Sequence, residues 1–328
     1  MSKKEFNPKH IILSRKGFDS AAGGDASMII DLGDGNKVIQ PLPIPDPYDV
    51  IGGTTYESMK SQIESYKLCQ LMKMANIVPK LKAGKSKKKS GREYIENVFF
   101  CHRDPDIFSD TENAAFGQIG AAEAHLDKND VVEGDLFLFF GWYKSYKLED
   151  KKLVRQIKDI CDDKHVLYGY LYVDEVYNLA EEEGLQKAYK YYRNHPHYRK
   201  QLASNGTIKN NRLYVAPKYI PGSKIPGFGI FKYNDNNESG DKNNKYSLIL
   251  SKDNMPKSRW KRDKNSFMGQ VGKKRTMTYH TNTDKCWPKG EEYFQSVARG
   301  QEFVIDCSGD KNKDFRQYIY DFIANNIK

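Results

Sequence analysis

Three side chains able to do chemistry crowd into five residues of this chain, His102, Asp104 and Asp106 of the segment HRDPD. One imidazole and two carboxylates could converge on Mg²⁺ or Mn²⁺, or could divide the roles of general acid and general base. The segment follows the apolar run YIENVFFC and is stiffened by Pro105, so it reads as a loop at a strand end, where such groups are common. The same residues also suit an ordinary turn, with Asp104 as its cap, Asp106 paired to a cation and His102 partly buried.

A second candidate lies in IILSRKGFDSAAGGDAS, where a short apolar run meets Arg15, Lys16, Asp19, Ser20, Gly23 and Gly24. Glycines let backbone amides approach ligand oxygens, two cations and a hydroxyl suit a phosphate, and a carboxylate can take a ribose hydroxyl or a metal. The spacing matches neither GxxxxGK[ST] nor GxGxxG, so an anionic-ligand loop and a plain glycine turn both remain open.

Other polar groups recur at element ends. Gln118 and His125 of FGQIGAAEAHL stand seven residues apart, two turns along one face of an expected helix. Gln118 could pair with a base edge, while His125 could do so or bond the helix's last carbonyls. His195 and His197 flank Pro196, as metal ligands or phosphate donors, though without a third ligand in view. Tyr279 and His280 set a phenol beside an imidazole, a possible acid/base pair. Glu302 opens the apolar strand EFVID and could steady an oxocarbenium-like transition state, as in ADP-ribosyltransferases. Phe303 breaks that family's Q/E-x-E motif, however, and an ion pair to a cation such as Arg299 is the simpler role.

The elements that must position these groups follow from periodicity. Strands are expected at Ile11–Leu13, Met28–Asp31, Lys37–Gln40, Tyr94–Cys101, Leu136–Phe140, in HVLYGYLYV, and in NRLYVA, GFGIFKY and YSLILS. Helices are expected along Met59, Ile63, Tyr66, Cys69 and Met72, in AAFGQIGAAEAHL, over 176–193 up to the stop at Pro196, and at the end with Phe315, Ile319, Phe322 and Ile323 on one side. The lysine run KLKAGKSKKKSGR, residues 80–92, and the polar, Asn-rich segment 234–245 carry no core-forming pattern and read as flexible insertions.

Composition narrows the class. The 328 residues are 38% hydrophobic and 29% charged, enough to bury a sizeable core, and no apolar run is long enough to cross a membrane. The first residues, MSKKEFNPKH, lack the apolar centre of a signal peptide, and the five scattered cysteines (Cys69, Cys101, Cys161, Cys286, Cys307) form no CxxC pair. A reduced, cytoplasmic protein is the expectation. A formal charge of +10 is compatible with a polyanionic partner and does not establish one.

Taken in order, LSRKGFDSAAGG, HRDPDIF, FGQIGAAEAHL, GDLFLFFGWYK, HPH, YHT and RGQEFVID resemble the third nucleotide modification associated domain family, found in bacteria and phages. The resemblance spans nearly the whole chain and implies work on nucleotides or DNA bases, with no established reaction to carry over. Relative to it, the lysine and Asn-rich segments look like insertions.

The expectation is therefore a mixed α/β (α+β) fold over residues 1–328, with a mixed sheet or partly closed β-barrel and packed helices. The first loop, HRDPD, HPH and QEFVID should share one cleft. The leading function is an enzyme acting on a nucleotide or DNA, with Arg15, Lys16 and Ser20 on phosphate and His102, Asp104 and Asp106 at the reacting centre. Two others stay open: a non-catalytic reader of modified bases built around Phe139, Trp142 and Tyr170, and a metal-dependent nuclease or phosphodiesterase.

Overall fold

The structure, a computed structural model, describes residues 5–33, 35–46, 53–82, 94–95, 99–108, 111–157, 161–233 and 245–327. Most of the lysine run and all but Lys245 of the Asn-rich segment lie outside these residues.

A single long strand, Leu136–Glu149, organises the rest. Its first six residues are buried, as required of a strand covered on both faces. On one side it pairs antiparallel with Lys164–Tyr172, which carries Phe228–Ile230 beyond it. On the other it pairs parallel with His10–Arg15, which is flanked in turn by antiparallel Glu302–Asp306. Its far half pairs with Ser27–Asp31 and folds back on Lys152–Arg155. The sheet is thus mixed, and the path from Phe228–Ile230 to Glu302–Asp306 stays open, so no closed barrel forms among the described residues.

A second, three-stranded antiparallel sheet sets Asn211–Val215 between Glu175–Asn178 and Ala115–Ile119. Phe116 packs edge-on against Phe137 and Phe139 of the main sheet, joining the two layers. The opposite face of this sheet carries the helices Glu182–Tyr192 and Pro196–Ala203. The closing helix, Lys313–Asn326, buries Phe315, Ile319, Phe322 and Ile323 as its periodicity predicts.

Several elements depart from the sequence reading. Ala115–Ile119 is a strand, and the helix begins only at Gly120, because pairing with Asn211–Val215 and the burial of Phe116 outweigh the helix propensity of small residues. The expected helix from Met59 is confined to Leu68–Met74. Met59 is still buried, and Ile63 and Tyr66 still pack on the same apolar cluster from turns, while Cys69 does so from the helix. Residues 176–193 divide into the strand Glu175–Asn178 and the helix Glu182–Tyr192. YSLILS forms only isolated bridges, Ile249 to Val166 and Ser251 to Trp260.

His165 shows how tightly the sheet is packed. Its Nδ1 accepts the Trp260 indole N–H at 3.0 Å, and its ring meets Phe140 edge-on. Burial, reinforced by the positive charges of Arg15 and Lys257, pulls its pKa down to about 3. The folded state therefore keeps His165 neutral while the unfolded chain protonates it below its ordinary 6.5. Its stabilisation is complete above that value and is lost progressively as the pH falls towards about 3, with a slope of up to about 1.4 kcal/mol per pH unit. Denaturant titrations of the native protein and the His165→Gln variant between pH 6.5 and 5 should show a flatter pH dependence in the variant. Parallel slopes would mean that His165 does not titrate on unfolding.

Candidate functional site

The site is built around one buried carboxylate. The Asp104 side chain is only 4% exposed and faces three imidazoles. Its Oδ1 accepts the Gly117 N–H at 2.8 Å and lies 3.4 Å from His195 Nε2. Its Oδ2 lies 3.4 Å from His197 Nε2 and 3.7 Å from His102 Nε2.

Local structure explains the convergence. His102 and Asp104 sit on a segment held to its neighbours by backbone bonds from Cys101 N–H to the Thr54 carbonyl and from His102 N–H to the Ile44 carbonyl. His195 is the N-cap of Pro196–Ala203, with Pro196 at the first helical position, where a missing N–H costs nothing. The His197 N–H donates to His195 Nδ1 at 3.3 Å, which turns His195 Nε2 towards Asp104. His197 Nδ1 is 2.9 Å from Asn211 Oδ1, which holds a proton on Nδ1 and aims Nε2 at Asp104. This assignment follows from the Asn211 amide, which donates to Gln201 Oε1 and to the His197 carbonyl. Gly117 admits the ring: a Cβ there would stand 2.4 Å from His197 Cγ and Cδ2.

Electrostatics follow from this packing. Burial alone would raise the Asp104 pKa, but contacts with His102, His195 and His197 outweigh it and hold the carboxyl well below its ordinary value. Burial pulls His102 down, yet Asp104 and Asp46 bring it above the usual imidazole value. For His197 burial prevails over Asp104, and its pKa is lowered.

Asp104, His102 and His197 border a cleft of about 2140 Å³ that also receives the first loop from Arg15 to Ala22, and Gly300 and Gln301 beside Glu302. The four expected blocks thus meet along one cleft. Its volume exceeds the roughly 300–1,000 Å³ of a small-molecule pocket, leaving room for a nucleotide with flanking groups. Its lining is not uniformly basic: Arg15, Lys16, Arg155, Arg199, Lys200 and Lys257 face Asp19, Asp46, Asp104, Asp162 and Asp163.

Several expected residues have other partners. Asp106 lies outside the cluster, because its Oδ1 accepts from Arg103 Nε at 2.7 Å and from the Thr111 hydroxyl at 2.9 Å. Arg15 lays its guanidinium over Phe140 and Phe303 and donates to the Val297 and Ala298 carbonyls. Lys16 bonds Glu302 at 2.9 Å, so Glu302 pairs with Lys16 where Arg299 was expected. Asp19 closes its own turn by accepting the Ala21 and Ala22 N–H groups, while Gly23 and Gly24 take positive φ and Gly23 packs flat on the Phe18 ring. Ser20 borders the cleft.

Gln118 and His125 are not on one helix, since Gln118 belongs to the strand Ala115–Ile119. Gln118 donates to Glu302 Oε1, leaving Glu302 Oε2 buried without a partner. His125 bonds the Thr278 hydroxyl at 3.1 Å and packs against Tyr279 with the two rings tilted by 41°. Both His280 nitrogens are engaged by backbone, Nδ1 with the Thr278 carbonyl and Nε2 with the Val297 N–H, and burial brings its pKa down to about 4. Phe139 and Tyr170 are fully buried core residues, so of the reader's expected stacking trio only Trp142 borders the cleft.

Three contributors were missed by sequence reasoning: Gly117, Asn211 and Arg199. Arg199 borders the cleft, and its buried Nε and one terminal nitrogen have no hydrogen-bond partner.

A family model described as nucleotide modification associated domain 3 matches residues 10–306, nearly the whole chain, and the chain belongs to that family. The family description ties it to nucleotide modification. No curated protein and no solved structure matches it.

Gly117→Ala should force the His197 ring aside at a cost of about 1–3 kcal/mol, the usual range for overpacking. Combined with His197→Ala, the same substitution should be nearly free, so a double-mutant cycle by chemical denaturation should give a coupling of about 1 kcal/mol or more. Additive effects would show that the glycine does not make room for the imidazole.

Proposed function

We propose that this member of the nucleotide modification associated domain 3 family is an enzyme that modifies a nucleotide, with the reacting part of the substrate over Asp104, His102 and His197 and a phosphate on Arg199. The observation that carries this reading is the buried Asp104 carboxylate, ringed by imidazoles and bordering a cleft with room for a nucleotide. A charge taken that far from water without a full ion-pair partner is costly to folding, and such sites concentrate where chemistry needs them.

Arg199 supports the phosphate assignment. It follows His195 by one helical turn, feels the charge of Asp46, and carries N–H groups unused by the protein. Its planar fork suits phosphate oxygens. The first-loop cations fit this role less well, since Arg15 and Lys16 already hold protein acceptors. The mixture of cations and carboxylates lining the cleft favours a substrate with one or a few phosphates over a groove that tracks a DNA backbone by charge. A nuclease clamp using both HRDPD carboxylates is disfavoured because Asp106 is turned to Arg103 and Thr111.

Two substitutions test the reading on a panel of nucleosides, nucleotides and short DNA. Asp104→Asn should lower kcat by roughly 100-fold or more, with the circular dichroism spectrum unchanged. Arg199→Ala should weaken binding of nucleoside phosphates about tenfold, the loss of one charge-assisted contact, and leave nucleosides unaffected. Asp106→Asn should keep turnover. Full activity in Asp104→Asn, or equal losses for nucleosides and nucleotides in Arg199→Ala, would reject it.

A further inference from the structure

We propose that His102 Nε2, His197 Nε2 and Asp104 Oδ2 form a three-donor site for one divalent transition-metal ion of the zinc and iron class, with its remaining positions open to the cleft. This deepens the reading above by naming what the site bordering the cleft holds, and it can be tested without substrate. One donor atom from each of His102, Asp104 and His197 lies within 4.8 Å of the others, the single such group found among the described residues.

The distances argue for an ion between these groups. A charge-assisted hydrogen bond from an imidazole to a carboxylate spans about 2.7–2.9 Å. Here the separations are 3.4 and 3.7 Å. Two ligands each about 2.0–2.1 Å from a tetrahedral ion stand about 3.4 Å apart, which is the spacing of neighbours in a coordination shell.

The surroundings supply what metal-binding imidazoles need. Asn211 Oδ1 holds His197 Nδ1 at 2.9 Å and turns its Nε2 inward, and Asp46 Oδ2 faces His102 Nδ1 at 3.8 Å, on the side of the ring away from Asp104. The Gly117 N–H occupies Asp104 Oδ1 and leaves Oδ2 for the ion. Two imidazoles and one carboxylate suit borderline ions, whereas Mg²⁺ favours an all-oxygen octahedron. The ion expected from HRDPD alone, held by His102, Asp104 and Asp106, would lack its third ligand.

The test is metal binding by the full chain after stripping with a chelator, using Co²⁺ and Zn²⁺ as probes. One equivalent of Co²⁺ should bind with visible d–d bands, Zn²⁺ should displace it, and either ion should raise Tm, whereas Mg²⁺ should not. His102→Gln and His197→Gln should each weaken Co²⁺ binding by roughly 100-fold or more, since even outer partners of a ligand are worth about 10- to 100-fold. Asp106→Asn should bind as the native chain does. Should His197→Gln fail to fold, His102→Gln decides, because that side chain is 20% exposed. Far less than one equivalent bound, binding indifferent to the histidine variants, or equal stabilisation by Mg²⁺ would overturn the proposal. Stoichiometric metal in the native chain with full turnover in Asp104→Asn would uphold the site and reject the placing of the reaction on Asp104. No metal binding, with Asp104 still essential for turnover, would do the reverse.

Discussion

A carboxylate held almost wholly out of water dictates much of this architecture. Asp104 needs compensation on every side, and each compensating group imposes its own demand on the chain. The Gly117 amide must point at Oδ1, which requires Ala115–Ile119 to be a strand in register with Asn211–Val215. The His197 ring must pass where a Cβ would sit, which requires glycine at 117. His195 and His197 must be held two residues apart at a helix start, which Pro196 pre-sets. Asn211, whose strand runs beside Gly117's, then fixes the His197 tautomer.

The two sheets divide the labour. The main sheet, centred on Leu136–Glu149, is a dense aromatic layer whose side chains are locked by neighbours on both faces. The smaller sheet carries Phe116 and Gln118 on one face and Gly117 on the other, because side chains alternate along a strand. Phe116 anchors the small sheet to the large one while Gly117 shapes the site behind it. The polar centre therefore rests on rigid strands and a capped helix, with only the HRDPD segment supplied by a connecting loop.

The residue types at the site were legible in the sequence, and their partners were not. HRDPD and HPH stand out as chemistry-bearing, but nothing in their spacing tells that Asp106 turns back to Arg103 three residues earlier, or that the two motifs meet. The mixed α/β class, the aromatic strand at Lys164–Tyr172 and the final helix follow from clean periodicity. Ala115–Ile119 misleads because alanine and glycine carry little strand signal, and tertiary pairing decides such segments. Arg199 was within reach: Pro196 marks a helix start, and a position four residues past His195 falls one turn above it. Met59, Ile63 and Tyr66 form a true apolar stripe that the chain realises with turns, so periodicity there reported burial and not conformation.

The pairing of His10–Arg15 bears on how this protein emerges from the ribosome. One edge of that strand finds Leu136–Glu149 first, but its other edge needs Glu302–Asp306, and Lys16 meets Glu302 across 286 residues of sequence. During translation this apolar strand must wait with one edge open until Glu302–Asp306 has appeared. Unpaired strand edges invite wrong partners, so this edge stays open to mispairing until its antiparallel neighbour arrives.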